Sequence, residues 1–521
     1  MANQTERSVM PKLAEPAKKK SSILALVVAP LISLSIILFA DLDPGNPQVT
    51  YCFAIALLMA AWWITEAIPL AVTALLPVAL FPLLGVVDGK TVSSMYFNHL
   101  IFLFIGGFLM AFAMERWNLH RRIALKILIL FGISPGRILL GFMLATSFLS
   151  MWMSNTATAM MMVPIALSII MKLEESLGKK KMGKYAIGLL LGIAYSSSIG
   201  GISTLVGTPP NPLLVSVVDI MFPEMPEISF ADWLIFALPV TVLIFIIAWL
   251  LLYFMYKPKK SWEKLQIDDF KKEHKALGKM KTEERIVLAL FSILAFLWIF
   301  RSGFSIQSFV IPGWSQLFEN PSYINDGTVA IFISSILFMI PSRSQKGERI
   351  MDWETTRKMP WGIILLFGGG FALAEGFVES GLSVWFGQQM AGLADVQPIV
   401  ITFVDVALMS FLTELTSNVA STEMILPILA GLATTIKINP LLLMIPATLA
   451  ASLAFMLPVA TPPNAIIFGT KRIKVKDMVR TGFLLNLAGI IIATLIMYFW
   501  GTVVFDIDVS VFPDWAAAAI K

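Results

Sequence analysis

Cysteine is nearly missing from this chain: there is one, Cys52, in 521 residues. That leaves no disulfide framework and no thiolate cluster for zinc or iron–sulfur chemistry. Histidine is almost as scarce, and His99, His120 and His274 stand at no metal-ligand or haem-attachment spacing. Charge is thin as well: 14% of residues are Asp, Glu, Lys or Arg against 57% hydrophobic, and the mean hydropathy is +0.80. So few charges cannot cover a soluble surface, and the solvent is lipid. The sequence also lacks a phosphate loop, a catalytic triad and paired acid–base groups, which argues against an enzyme or receptor. ATP drive would need a partner chain. The net charge of +5 is no nucleic-acid footprint, because Lys and Arg fall in short loops between apolar runs.

What is there is a series of such runs, among them Ile23 to Ala40, Phe53 to Ile68, Ile101 to Met114, Trp233 to Tyr256 and Gly482 to Phe499. At roughly 20 residues per crossing they predict about 11 transmembrane helices. The first run ends at Asp41 and Asp43 without a small-residue cleavage pattern and reads as a retained helix. Basic loops mark the cytoplasmic side: Lys18 to Lys20, Arg116 to Lys126, Lys179 to Lys181, Lys257 to Lys281, Arg343 to Lys358 and Lys471 to Arg480. The loops Asp41 to Thr50, Pro223 to Asp232 and Ser302 to Asn325 are poor in Lys and Arg and read as external. Sides alternate along the chain only if Ile133 to Leu167 and Val396 to Leu429 enter and leave by one face. These two segments are predicted to be re-entrant hairpins, the first opening inward and the second outward.

The expected division follows. Residues 1–21 form a cytoplasmic tail and 22–50 a first transmembrane helix with its external loop. Residues 51–256 form a first repeat with the hairpin at about 133–167. Residues 257–283 are a basic cytoplasmic linker, 284–505 a second repeat with the hairpin at about 396–429, and 506–521 an external tail. The short loops suit a bacterial inner membrane.

Self-similarity supports two repeats. Phe104-Ile105-Gly106-Gly107-Phe108 is echoed by Phe367-Gly368-Gly369-Gly370-Phe371, and Ser154-Asn155-Thr156 by Ser417-Asn418-Val419 at the same separation along the chain. Gly207-Thr208-Pro209-Pro210-Asn211 is echoed by Ala460-Thr461-Pro462-Pro463-Asn464. With the hairpins opening to opposite sides, the fold class is an all-α integral membrane protein built as an inverted-topology repeat, whose site lies near the midplane where interrupted helices meet.

The motifs suit such a site. Proline has no amide to donate and clashes with the preceding turn, so Pro209-Pro210 and Pro462-Pro463 should unwind their helices and free carbonyls for a small cation. Ser-Asn-Thr at a hairpin tip offers hydroxyls and amides for helix capping, a carboxylate or an ion, and the helix N-termini there favour anions. No Arg or Lys lies beside either motif, so a divalent anion must be balanced by helix dipoles and co-bound cations. Singly, such residues more often bond neighbouring helices, and proline often only kinks; their recurrence in two copies favours a site. Glu66, Glu375, Glu379, Glu414 and Glu423 read as structural carboxylates outside that site. Met160-Met161-Met162 and Trp62-Trp63 read as packing and interface anchors, and the glycine runs as points of close helix approach.

Taken with Trp62-Trp63-Ile64-Thr65-Glu66-Ala67, these paired motifs resemble the divalent anion:sodium symporters, the di- and tricarboxylate carriers, from about Ile23 to Phe505. The resemblance implies a homodimer with an elevator-type transport part, carrying substrate with sodium and needing no cofactor. It further implies one sodium site at Ser150, Ser154, Asn155 and Gly207 and another at Thr413, Thr416, Asn418 and Ala460. Substrate carboxylates would meet Asn155, Thr156, Thr208, Ser417, Asn418 and Thr461, walled by Pro209 and Pro462. Val419 departs from the family's commonest pattern, because a hydroxyl is expected where it stands. The expectation is sodium-coupled import of C4-dicarboxylates such as succinate, malate or fumarate. A sodium-independent exchanger and a citrate or sulfate carrier remain alternatives.

Overall fold

In the computed structural model, residues 23–132, 134–258, 268–306 and 309–518 are described. The expected 1–21 tail and residues 259–267 of the basic linker lie outside them. Among the described residues, seven helices are long and apolar enough to cross a membrane: Pro47–Thr65, Gly89–Arg116, Asn155–Glu175, Met182–Ile202, Phe230–Tyr256, Trp361–Ser380 and Val475–Val504. The expected eleven are not reached by length alone, because seven further apolar stretches are 10–17 residues long. Among the described residues the fold is helical apart from one antiparallel ribbon, in which Gly303–Ile306 pairs with Phe309–Pro312, and an isolated bridge between Pro341 and Arg349. This ribbon belongs to the segment expected as a plain external loop.

Each expected hairpin is a pair of helices with a short polar tip. The first has arms Pro135–Ser150 and Asn155–Leu177, the second Pro398–Leu412 and Asn418–Thr435. Both first arms begin with proline, whose missing amide is one that a helix start leaves free anyway. At 16 and 15 residues these arms reach only about 22–24 Å, short of a hydrocarbon core of about 30 Å. The second arms run beyond Leu167 and Leu429, to Leu177 and Thr435.

After each hairpin comes a broken helix: Lys179–Ile202 resumes as Pro210–Met221, and Leu441–Ala451 resumes as Pro462–Gly469. The unwound stretches precede the second proline in one copy and both prolines in the other. Pro210 and Pro462 each open the resumed helix, where the lost amide costs nothing. Each copy closes with a long helix, Phe230–Tyr256 and Val475–Ile496, which pack on one another, and the Tyr256 hydroxyl bonds Thr481 Oγ1 at 2.7 Å.

Pro47–Thr65, the pair Leu70–Thr73 and Leu76–Leu83, and Trp361–Ser380 build a separate apolar cluster around Cys52, Trp63, Phe81 and Phe371. The glycine runs do permit close approach: a Cβ on Gly106 would overlap the backbone of Ala330, and one on Gly370 the Glu423 side chain. Trp63, buried, donates to Leu70 O at 3.2 Å, in keeping with a packing role.

The stretch Arg116 to Lys126, expected as a loop, is largely the helix Leu119–Phe131. It buries Arg122, which pairs with buried Glu284 at 2.6 Å. On another face Arg301 binds Asp326 at 2.5 Å and Glu227 at 2.6 Å, while Asp326 accepts from Phe230 N at 3.0 Å.

Candidate functional site

Both hairpin tips and both helix breaks open onto one cavity of roughly 350 Å³. Its polar wall carries all the residues expected to meet substrate: Asn155, Thr156, Thr208, Pro209, Ser417, Asn418, Thr461 and Pro462. Of the expected sodium set, Ser154, Asn155, Gly207, Thr416, Asn418 and Ala460 line it too. Ser150 and Thr413 do not. They are buried one layer beneath, where each donates its hydroxyl to the amide oxygen of the asparagine five residues on: Ser150 to Asn155 Oδ1 at 2.6 Å and Thr413 to Asn418 Oδ1 at 2.7 Å.

The rest of the first tip is held from the broken helix. Ser197 Oγ donates to Asn155 O at 2.7 Å, and Thr204 Oγ1 donates to Met151 O at 2.5 Å while accepting from Gly207 N at 3.1 Å. Gly201 leaves no room for a side chain, since a Cβ there would meet the Asn155 amide. In the second copy Thr413 also donates to Ala451 O at 2.8 Å, and the Thr416 and Ser421 hydroxyls share a bond at 2.5 Å.

Asn211 and Asn464, the last residues of the repeated proline motifs, were absent from the expected site. Each folds its amide back onto its own unwound stretch. Asn211 Nδ2 donates to Gly201 O at 3.3 Å, Ile202 O at 3.1 Å and Thr204 O at 2.7 Å; Asn464 Nδ2 donates to Ala454 O at 3.1 Å and Leu457 O at 3.0 Å. Acceptors ten and seven residues upstream recur in both copies, with one more at nine in the first, so the repeat read from the sequence is repeated in its hydrogen bonds. The signal was available, because both asparagines belong to the repeated motif.

Glu414 was also set aside as structural, and it is a clamp. Its carboxylate accepts from the amides of Phe455, Met456 and Leu457 at 2.7, 2.9 and 3.0 Å and from Asn486 Nδ2 at 2.9 Å. The first copy does the corresponding work with the Thr204 hydroxyl.

Electrostatically the cavity has the lining of an anion site without a cationic side chain. Asn155–Leu177, Pro210–Met221, Asn418–Thr435 and Pro462–Gly469 all start at its wall, and no Lys, Arg or His lines it. Each N-terminus counts for about half a positive charge, so the four present about two. The lining also carries apolar side chains, among them Leu70, Phe104, Phe108, Ile363 and Leu366, and one carboxylate, Glu66. Among the described residues no His, Cys, Asp and Glu group is arranged to hold a metal ion.

Comparison with known proteins points the same way. Residues 18–507 match the family described as the sodium:sulfate symporter transmembrane region. Two relatives, both named sodium-dependent dicarboxylate transporter SdcS, come from Staphylococcus saprophyticus and Staphylococcus aureus. They are 44% and 45% identical over 494 residues, covering 94% of this chain and 93% of theirs. Among solved structures, MtrF of Neisseria gonorrhoeae superposes with a TM-score of 0.56 at 13% identity, over 79% of this chain and 84% of its own. The YdaH transporter of Alcanivorax borkumensis does so with a TM-score of 0.54 at 14% identity, over 79% and 89%. At such identities these two likenesses concern the fold alone.

Proposed function

This chain belongs to the family of the sodium:sulfate symporter transmembrane region, and on that premise we propose that it is a secondary transporter that imports C4-dicarboxylates with sodium across a bacterial cell membrane. The observation that carries this reading is the cavity on which four helix N-termini converge from two hairpin tips and two helix breaks. Their summed charge of about two matches a dianion, and the two tips offer one polar end to each carboxylate. The names of the staphylococcal relatives, sodium-dependent dicarboxylate transporters, support both the ion and the substrate class.

In this reading sodium is cargo. One ion is held at Ser150, Ser154, Asn155 and Gly207 and the other at Thr413, Thr416, Asn418 and Ala460, where side-chain and freed backbone oxygens gather and hard cations find oxygen ligands. Binding of the ions fixes the asparagines, and the fixed asparagines meet the substrate. Substrate affinity is thereby coupled to sodium. Movement is of the elevator type within a homodimer: the tips and broken helices slide along the apolar wall of Leu70, Phe104, Phe108, Ile363 and Leu366, which has few directional bonds to break. The N-terminus lies inside and the C-terminus outside, with the first hairpin opening inward and the second outward.

Purified protein in liposomes, given labelled succinate, tests the proposal. Uptake with an inward sodium gradient and not with an equal potassium gradient is the expected result. Uptake that needs internal succinate and ignores sodium would make the protein an exchanger. Asn155→Ala and Asn418→Ala should each lower sodium-driven uptake at least about tenfold, the scale of one lost charge-assisted contact. Wild-type rates in both variants would remove the tips from the site.

A further inference from the structure

Glu66 is the one ionisable side chain on the wall of the cavity, and its carboxylate has the sign that an anion site should avoid. Its position is fixed by the fold. The residue caps the C-terminal end of Pro47–Thr65 in the left-handed region, at φ 51°, a conformation that glycine takes freely and a glutamate does not. The turn that follows is pinned by the Trp63 indole on Leu70 O at 3.2 Å. A carboxylate at a helix C-terminus also sits at the negative end of the dipole. Exposed to the cavity and holding no hydrogen bond or ion pair among the described residues, Glu66 is neither packed away nor neutralised by the protein.

We propose that Glu66 is a charge filter on the apolar wall, making occupancy by a dianion conditional on cations bound with it. The balance explains how. The four N-termini contribute about two positive charges, enough for the dianion alone. Glu66 adds one negative charge, so a dianion without cations leaves the cavity in deficit, and a dianion with sodium does not. Coulomb repulsion in a partly wet site then disfavours the ion-free loaded state, which in a symporter is the state that leaks. The filter acts through its charge and is not among the proposed sodium ligands. This inference rests on the symport reading above.

The test uses the full-length protein in liposomes, with succinate as the dianion and monomethyl succinate as the monoanion. Wild type comes first: if it shows no sodium-driven succinate uptake, the symport reading fails, and that failure is distinct from the outcomes below. In Glu66→Gln, succinate entry without sodium should rise several-fold above the wild-type background. Its KM for succinate should fall about three- to tenfold, while entry of the monoanion changes less. A Glu66→Gln protein that unfolds at the wild-type temperature and keeps the wild-type sodium dependence and dianion-to-monoanion ratio would overturn the proposal. Leu70→Glu, which adds a second carboxylate to the same wall, keeps the test open if the glutamine variant does not fold. It should raise the KM for succinate, and an unchanged or lowered value would overturn the idea.

Discussion

Asn155 and Asn418 do the same thing in two places, each accepting a hydroxyl proton from a residue five positions upstream. The next residue breaks the likeness: Thr156 in one copy faces the cavity as a hydroxyl, and Val419 in the other as a methyl pair. A dicarboxylate bound as proposed would therefore find one fewer donor at one end. Val419→Thr nearly conserves volume and restores it, so succinate should bind about three- to tenfold tighter, the return from one hydrogen bond of about 0.5–1.5 kcal/mol. Competition between succinate and its monoester in liposomes would show it, and an unchanged ratio would mean that the second tip meets no carboxylate. The asparagines and the valine were legible in the sequence because they sit in a repeated motif. Glu66 and Glu414 were not. A carboxylate in an apolar run shows no period, and the partners of Glu414 are backbone amides at Phe455 to Leu457, which leave no trace in residue type.

At the scale of elements, the hairpins and broken helices were expected from hydropathy and from Thr-Pro-Pro-Asn, and their ends were placed less well. Hydropathy marks where lipid stops, whereas a helix stops where its backbone turns. The arm expected to end at Leu167 continues through Lys172 and Glu174 until Gly178 turns it at φ 90°. Likewise the proline pair marks the restart of a helix more sharply than its break. The asparagines hold both breaks alike, but the link from break to hairpin tip differs between copies, and this gives a clean contrast. Glu414→Gln should keep the fold but replace one accepting oxygen with an amide group that cannot accept from the backbone, at a cost of about 1–3 kcal/mol. Thermal unfolding in detergent should fall accordingly. A variant as stable as wild type would show that the second break needs no clamp.

Across the whole molecule, the two copies are riveted at their polar ends. Glu174 on the first hairpin and Arg472 beyond the second broken helix form a two-pronged pair at 2.5 and 3.1 Å. Arg116 of the first copy reaches Asp352 and Glu348 of the second. Burial opposes ionisation of Asp352, but the amide and hydroxyl of Thr355 and the Arg116 guanidinium outweigh it and hold its carboxyl below the usual aspartate range. Its folded pKa is depressed, so its contribution is present above the unfolded carboxylate pKa and fades as pH falls toward the folded one. Unfolding temperature should therefore drop on acidification below the usual carboxylate range, and Asp352→Asn should flatten that drop while lowering stability at neutral pH. Equal acid slopes for variant and wild type would count against the rivet.

The cavity itself belongs to neither copy. Ser154 to Thr156 and Gly207 to Pro209 form one part of its wall, and Leu415 to Val419 and Val459 to Pro463 another. A chain cut at the linker would leave two fragments, each with a single tip, a single helix break and no closed site. Co-expressed, the fragments should regain transport only by finding each other.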